Sequence, residues 1–205
     1  MVSPSGGTMA KRVLLVRGGS LGRNTGLGAA HHNLADLLES GKVDGWQLAG
    51  ICEYPLEKTS NPISRIWQRW FAHPKRVAKE INRLVSNNQC DLVHITDQEQ
   101  GHLMPKNCPV PGIITVHDLF HLFPEHLRFS DEVIAVGDTK PGIVRRRDLQ
   151  KLKAGINRAN HLLCNSKHTL EAAEQHFPTV AASRVPLGIE SAKYHPDNNQ
   201  PIKLD

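Results

Sequence analysis

Long apolar runs are missing from this sequence: Arg, His or Pro interrupts every stretch before it reaches the roughly 18 residues that crossing a bilayer takes. The opening residues, MVSPSGGTMAKR, also lack the apolar segment of a secretory signal, so a cytoplasmic location is expected. Cysteine is sparse. Cys52, Cys90, Cys108 and Cys164 form no CxxC pair, and Cys52 and Cys164 fall inside apolar, strand-like runs. Buried reduced thiols suit that placement better than disulfides or structural zinc, and no metal is expected. Aromatic residues reach only 5%, and there is no internal repeat and no low-complexity block beyond the polar ends. Negative charge is in the minority, 20 Asp and Glu against 25 Lys and Arg, which leaves +5. That excess favours an anionic partner (a phosphorylated substrate, a lipid headgroup or a nucleic acid) without choosing among them.

What is present suffices for a packed core. With 205 residues, 39% hydrophobic and 22% charged, the chain fits one ordinary domain or at most two small ones. Twelve histidines are more than usual and scatter along the chain. KRVLLVR (11–17) reads as a buried strand, followed by a glycine loop and a helix over 29–39 whose apolar residues are Ala30, Leu34, Leu37 and Leu38, with Gly41 as its C-cap glycine. WQLAGIC (46–52), DLVHIT (91–96), GIITV (112–116) and HLLC (161–164) read as further strands. Helical stripes run over 63–71, ended or kinked by Pro74, then over 77–85, 143–159 and 167–176, the last capped by Ser166. Residues 120–142 read as an irregular surface segment. Short strands alternating with helices predict an α/β Rossmann-like fold, a mostly parallel sheet with helices on both faces, whose ligands bind beyond the carboxyl ends of strands.

Gly18, Gly19, Gly22, Gly26 and Gly28 lie between the first strand and the first helix. Glycines there allow close approach of a ligand, and the helix N-terminus that follows suits phosphate. The dinucleotide fingerprint fails, because His31 stands where its third glycine belongs, and no GK[ST] closes a phosphate-binding loop. Gly18-Gly19-Ser20-Leu21-Gly22 is a literal GxSxG, which makes a serine hydrolase using Ser20 one alternative. That chemistry needs a sharp strand-to-helix turn, whereas the helix here starts near residues 25–27. A substrate-contacting loop is the expected role, a loop shaped for turning alone the plain alternative. Further on, ITVHDLFHLFPE ends a buried strand directly in His117-Asp118. An imidazole and a carboxylate at a strand end suit hydrogen bonding to sugar hydroxyls or a proton transfer.

Five segments in order, TGLGAAHHNLADLLESG, DLVHIT, the strand-end His117-Asp118 with its FPE, NRANHLLCNSKHT and RVPLGIESAKYHP, together resemble the amino-terminal half of GT-B glycosyltransferases of family 4, retaining enzymes that use nucleotide sugars. The resemblance covers roughly residues 10–196. It implies that Gly26 and Gly28 shape a loop facing acceptor and donor phosphate, and that His117 lies at the reaction centre with Asp118 supporting it. Asn165 and Ser166 would stand near the cleft, with Gly188 in the connection to a second domain. Asn160 and Glu190 replace the usual aspartates of their motifs. The family's donor-binding half, with its basic pair and Glu-x7-Glu, has no counterpart, since no two glutamates here stand eight apart.

The resemblance therefore implies a tail over 1–10, an acceptor-side domain over 11–190 and the start of a linker over 191–205. A hexosyl unit would pass from a nucleotide sugar, the co-substrate in place of a cofactor, to a sugar or lipid-linked acceptor, poorly or not at all without a separate or downstream donor-binding domain. A non-catalytic binding or regulatory module, or a truncated product, is the alternative from another class. One segment stands apart. Ile63–Phe71 sets Trp67, Trp70 and Phe71 on one face and Arg65 and Arg69 on another, as in a helix lying in an anionic membrane interface. The favoured expectation is a surface helix burying its apolar face against the sheet. Arg145-Arg146-Arg147 carries the same choice between a solvated face and a phosphate contact. No nucleic-acid recognition module fits the order of strands and helices, so nucleic acid is not an expected partner.

Overall fold

A computed structural model describes residues 10–54, 61–129 and 132–188, with the backbone alone at Leu127 and Phe129. The elements, in chain order, are β1 (Lys11–Gly19), α1 (Gly26–Glu39), β2 (Trp46–Tyr54), α2 (Pro62–Trp67), a π-turn (Gln68–Ala72), α3 (His73–Ser86), β3 (Leu92–Ile95), a 3-10 turn (Gln98–Leu103), β4 (Gly112–Val116), β5 (Glu125–Phe129), β6 (Glu132–Val136), α4 (Ile143–Ile156), β7 (His161–Cys164), α5 (Lys167–His176) and β8 (Ala181–Arg184). The expected tail over 1–10, apart from Ala10, and the linker over 191–205 lie outside the described residues, as does RVPLGIESAKYHP beyond Gly188.

Val13, Leu14, Leu15 and Val16 of β1 are all buried because the strand is covered on both faces. Successive side chains point to opposite sides. Val13 and Leu15 pack with Ala35 and Leu38 of α1, while Leu14 and Val16 join the larger cluster that holds Val77, Ile81 and Leu84 of α3. Each such side chain removed from water contributes roughly 1.5–3 kcal/mol. Six parallel strands follow the order β2-β1-β3-β4-β7-β8, which is the expected α/β architecture. The chain moves from β1 out to β2, then crosses back to β3 on the other side of β1. That reversal opens a crevice beyond the carboxyl ends of β1 and β3.

Local chemistry sets the boundaries. Thr25 caps α1, its hydroxyl accepting from the Gly28 N–H at 3.0 Å. At the other end Gly41 adopts φ +66°, and the Lys42 and Gly41 amides donate to the carbonyls of Leu37 and Leu38. Pro74 does not end its helix. The helix widens by one π-turn just before it, so that α3 restarts with the proline in its first turn, where a missing N–H costs nothing. Gly155 of α4 meets the 3-10 turn so closely that a Cβ there would stand 2.0 Å from the Gly101 carbonyl oxygen.

Two expectations need correcting. The segment 120–142 is not irregular throughout: β5 and β6 form an antiparallel hairpin, pairing His126 with Ala135 and Arg128 with Val133. Val133 and Ile134 are 58% and 48% exposed, so its second strand has no buried face to impose alternation. The stripe of α1 is displaced, since His31, Ala35 and Leu38 are its buried side chains while Leu37 is exposed. A short edge strand, β8, pairs Ala182 with Leu162. The cysteines behave as expected. Cys52, Cys90 and Cys164 are buried and all four are free; burial pushes the Cys164 thiol up to about 11.

Candidate functional site

The crevice at the strand-order reversal is floored by the ends of β1, β3 and β4. His117 follows β4 directly, and its own N–H donates to Gln98 Oε1 at 2.9 Å. Its Nε2 lies 3.2 Å from the Thr96 carbonyl oxygen. A carbonyl only accepts, so Nε2 carries a proton, and in the neutral imidazole the lone pair is then on Nδ1. The neighbouring strand thereby sets His117 as an acceptor at Nδ1, able to receive a hydrogen bond or a proton from a hydroxyl. Thr169 of α5 donates its hydroxyl to the His117 carbonyl at 3.2 Å and its N–H to Ser166 Oγ at 3.0 Å. Ser166 is thus engaged as the N-cap of α5, and Asn165 Oδ1 lies 3.3 Å from the same threonine hydroxyl. Both belong to the frame behind His117. The Thr96 carbonyl holds the imidazole and Gln98 the backbone of His117, while Asp118 Oδ1 is buried without a hydrogen-bond partner among the described residues.

The glycine loop lies beside this group. A Cβ on Gly28 would stand 2.1 Å from the Gly22 carbonyl oxygen, so Gly28 is required by closure of the loop upon its own helix. Gly26 has open space around it at the start of α1, where backbone N–H groups and the helix dipole favour an anion. His32 donates from Nε2 to the Leu21 carbonyl at 2.9 Å and fastens the loop to α1. Ser20 is no nucleophile elbow. Its N–H continues the sheet to the Tyr54 carbonyl, α1 starts only at Gly26, and no imidazole hydrogen-bonds its hydroxyl among the described residues. Gly188 is exposed, past the end of β8.

Sequence reasoning missed half of the crevice. His31 is 2% exposed, with Nδ1 2.8 Å from Thr96 Oγ1, and burial with the nearby Arg17 charge lowers its pKa to about 4. His94 Nε2 lies 2.7 Å from Thr115 Oγ1; burial, then His31 and His117, lower its pKa to about 4. Histidines that scatter in sequence thus gather around Thr96 in space. Arg17, at the end of β1, is buried 3.7 Å from Asp97. Burial lowers its pKa while Asp97 and Glu53 oppose that. Buried polar atoms without a partner among the described residues, Arg17 Nη1, His31 Nε2 and Glu53 Oε2, belong to this same region. The available signal was a charge or imidazole at the end of each apolar run: Arg17 closing KRVLLVR and Asp97 following DLVHIT.

The aromatic segment departs from the expected surface helix packed on the sheet. No residue of α2 or the π-turn is buried, so its apolar face does not pack on the sheet. Arg69 and Trp70 point inward instead: Arg69 Nε and Trp70 Nε1 donate to Asp148 Oδ1 at 2.8 and 2.9 Å, and Arg69 Nη2 reaches the Glu99 carbonyl. Burial alone would raise the Asp148 carboxyl, but the hydrogen bonds and charge of Arg69, with help from Trp70, hold it below its ordinary range. Trp67 and Phe71 are exposed, as is Arg65. A groove of about 530 Å³ runs between Ile66 and Trp70 on one side and Ile143 and Val144 on the other.

No family profile matches this chain, and no curated protein does. Solved structures do. A UDP-glucosyltransferase from Polygonum tinctorium capable of glucosylating indoxyl is similar at 13% identity and TM-score 0.54, over 96% of this chain and 56% of that one. UGT2 of Phytolacca americana, solved with UDP-2-fluoro-glucose and pterostilbene, is similar at 11% identity and TM-score 0.52, over 88% and 53%. A UDP-glucose:anthocyanidin 3-O-glucosyltransferase solved with UDP gives 12% and 0.52, over 97% and 56%. The chain spans little more than half the length of each, and at such identities the likeness is one of fold. The fold is that of one Rossmann-like half of a GT-B glycosyltransferase.

Proposed function

We propose that this chain is the acceptor-side half of a retaining, family 4-like glycosyltransferase, moving a hexosyl unit from a nucleotide sugar to a sugar or lipid-linked acceptor. Residues 11–190 form that half, and a second domain, joined or separate, supplies the donor pocket. The observation that carries the reading is His117: a strand-end imidazole, its tautomer fixed by the Thr96 carbonyl, at the strand-order reversal and beside the glycine loop. Nδ1 of His117 accepts from a sugar hydroxyl, while the start of α1 at Gly26 offers N–H groups to phosphate. The five ordered segments support family 4, and the UDP ligands of the similar structures support a nucleotide-sugar donor. The leaving diphosphate needs positive charge and a water-excluding closure that two domains provide.

The test is sugar transfer by this chain assembled with its donor-binding domain, with and without His117→Ala. The expected loss is about 10²–10⁴-fold in kcat/KM, the range of a positioned acid–base group. An assembled, folded His117→Ala protein with full activity overturns the reading.

A further inference from the structure

Exposed apolar surface and positive charge coincide on one side of this molecule. Ile63 (75% exposed), Trp67 (60%) and Phe71 (49%) stand outward on α2 and the π-turn, and Ile143 (73%) and Val144 (52%) do so across the groove at the start of α4. Soluble surfaces scatter such residues singly; a contiguous group marks an interaction site. Charge identifies the partner's chemistry. Residues 61–79 carry Arg65, Arg69, Lys75, Arg76 and Lys79 ahead of the first carboxylate, Glu80, which lies near Arg76, and residues 140–158 carry seven Lys or Arg with Asp148 as the sole acid. Asp148 is already occupied by Arg69, Arg145 and Trp70. Against a whole-chain excess of five, these two segments hold more positive charge than the entire molecule shows, and the remainder is net acidic. Cation and aromatic are interleaved: Lys151 Nζ lies 5.4 Å from the Trp70 ring centroid and 5.6 Å from that of Phe71.

A nucleic acid would match the charge but leave Ile63, Ile143 and Val144 without an apolar partner. A bilayer surface offers both layers, phosphates outside and acyl chains beneath, with tryptophan favoured at their boundary. We propose that this face docks on an anionic lipid bilayer. Trp67, Phe71, Ile63, Ile143 and Val144 enter the interface, and Lys75, Arg76, Arg146 and Arg147 meet lipid phosphates. Arg69 and Arg145 both reach Glu99, just past the carboxyl end of β3, so the patch lies at the rim of the strand-end crevice. Docking therefore sets that rim against the membrane surface.

The test is co-sedimentation of the chain with mixed phosphatidylglycerol–phosphatidylcholine vesicles and with pure phosphatidylcholine vesicles, across a salt series. It needs no sugar donor, so it stands or falls independently of the transferase reading. Wild type is expected on the anionic vesicles, released by salt. Each Lys or Arg at an anionic surface is worth roughly fivefold in partitioning, so Arg146→Glu with Arg147→Glu weakens binding by at least about 25-fold. Trp67→Ala with Phe71→Ala weakens it at least about tenfold at every salt concentration. Lys42→Glu, far along the chain in the turn after α1, leaves it unchanged, and circular dichroism confirms that each variant is folded. Equal binding to both vesicle types, or folded patch variants that bind like wild type, overturns the proposal. So does sedimentation velocity showing a self-associated chain that the Trp67/Phe71 variant dissociates and vesicles do not, which would make the patch an interface between copies.

Discussion

Asp148 should be the single side chain whose loss most loosens the link between the π-turn and α4. Its carboxylate is 6% exposed as a residue and receives Arg69 Nε at 2.8 Å, Arg69 Nη2 at 3.1 Å, Trp70 Nε1 at 2.9 Å and Arg145 Nη1 at 2.9 Å. Removing one partner of a buried ion pair costs about 3–5 kcal/mol, because the other charge stays desolvated. Arg69 and Arg145 are 24% and 30% exposed and keep contacts to Glu99, which places Asp148→Ala near the lower end, about 3 kcal/mol. For a chain of this size that is a fall in Tm of roughly 6–12 °C. Asp148→Asn keeps the shape and some hydrogen bonds and should lose about half as much. A pH series supplies the sign. A carboxyl held below its ordinary 3.8 stabilises fully above that value and stops doing so as pH falls through the lower folded value. The gap between wild type and Asp148→Asn should therefore close in strong acid and stay constant from neutral pH down to about 5. Differential scanning fluorimetry across pH reads both effects. A change in Tm below about 2 °C for Asp148→Ala would falsify the view that this network is desolvated and matters.

Two further predictions concern the crevice. His31 and His94, each near pKa 4 when folded against about 6.5 unfolded, bind protons more readily in the unfolded chain. Stability should be flat above about pH 6.5 and decline toward pH 4, by up to about 3 kcal/mol for each histidine, and His31→Gln should flatten that slope in urea titrations; an unchanged slope speaks against a buried neutral His31. Gly28→Ala drives a Cβ against the Gly22 carbonyl oxygen and should cost about 1–3 kcal/mol, whereas Gly26→Ala, in open space, should stay within about 0.5 kcal/mol. Equal midpoints for the two variants in urea unfolding would reject the steric reading of the loop.

Strands were legible where burial on both faces leaves an unbroken apolar run. β1 shows this in full, β4 and β7 are buried on one face and half-buried on the other, and α5 was legible because Ser166 caps it within one turn of sequence. The hairpin β5–β6 was not, since no residue of β6 is buried and periodicity reports only burial. The stripe of α1 slipped for a related reason. A buried histidine occupies its first inward position, and reading apolar residues alone moved the stripe around the helix toward Leu37.

The crevice divides along the same line. His117 was legible because a strand end announces it within its own segment, whereas His31 finds Thr96 65 residues away and has no meaning without it. The basic aromatic helix makes the point from the opposite side. Arg65 and Arg69 lie one turn apart and look equivalent on a helical projection, yet Asp148, 79 residues on, draws Arg69 inward and takes Trp70 with it. Local periodicity says which residues share a face. Whether that face meets water, lipid or another helix depends on a carboxylate that only the fold brings near, and the same carboxylate, by occupying Arg69 and Arg145, leaves Arg146 and Arg147 as the cations turned outward.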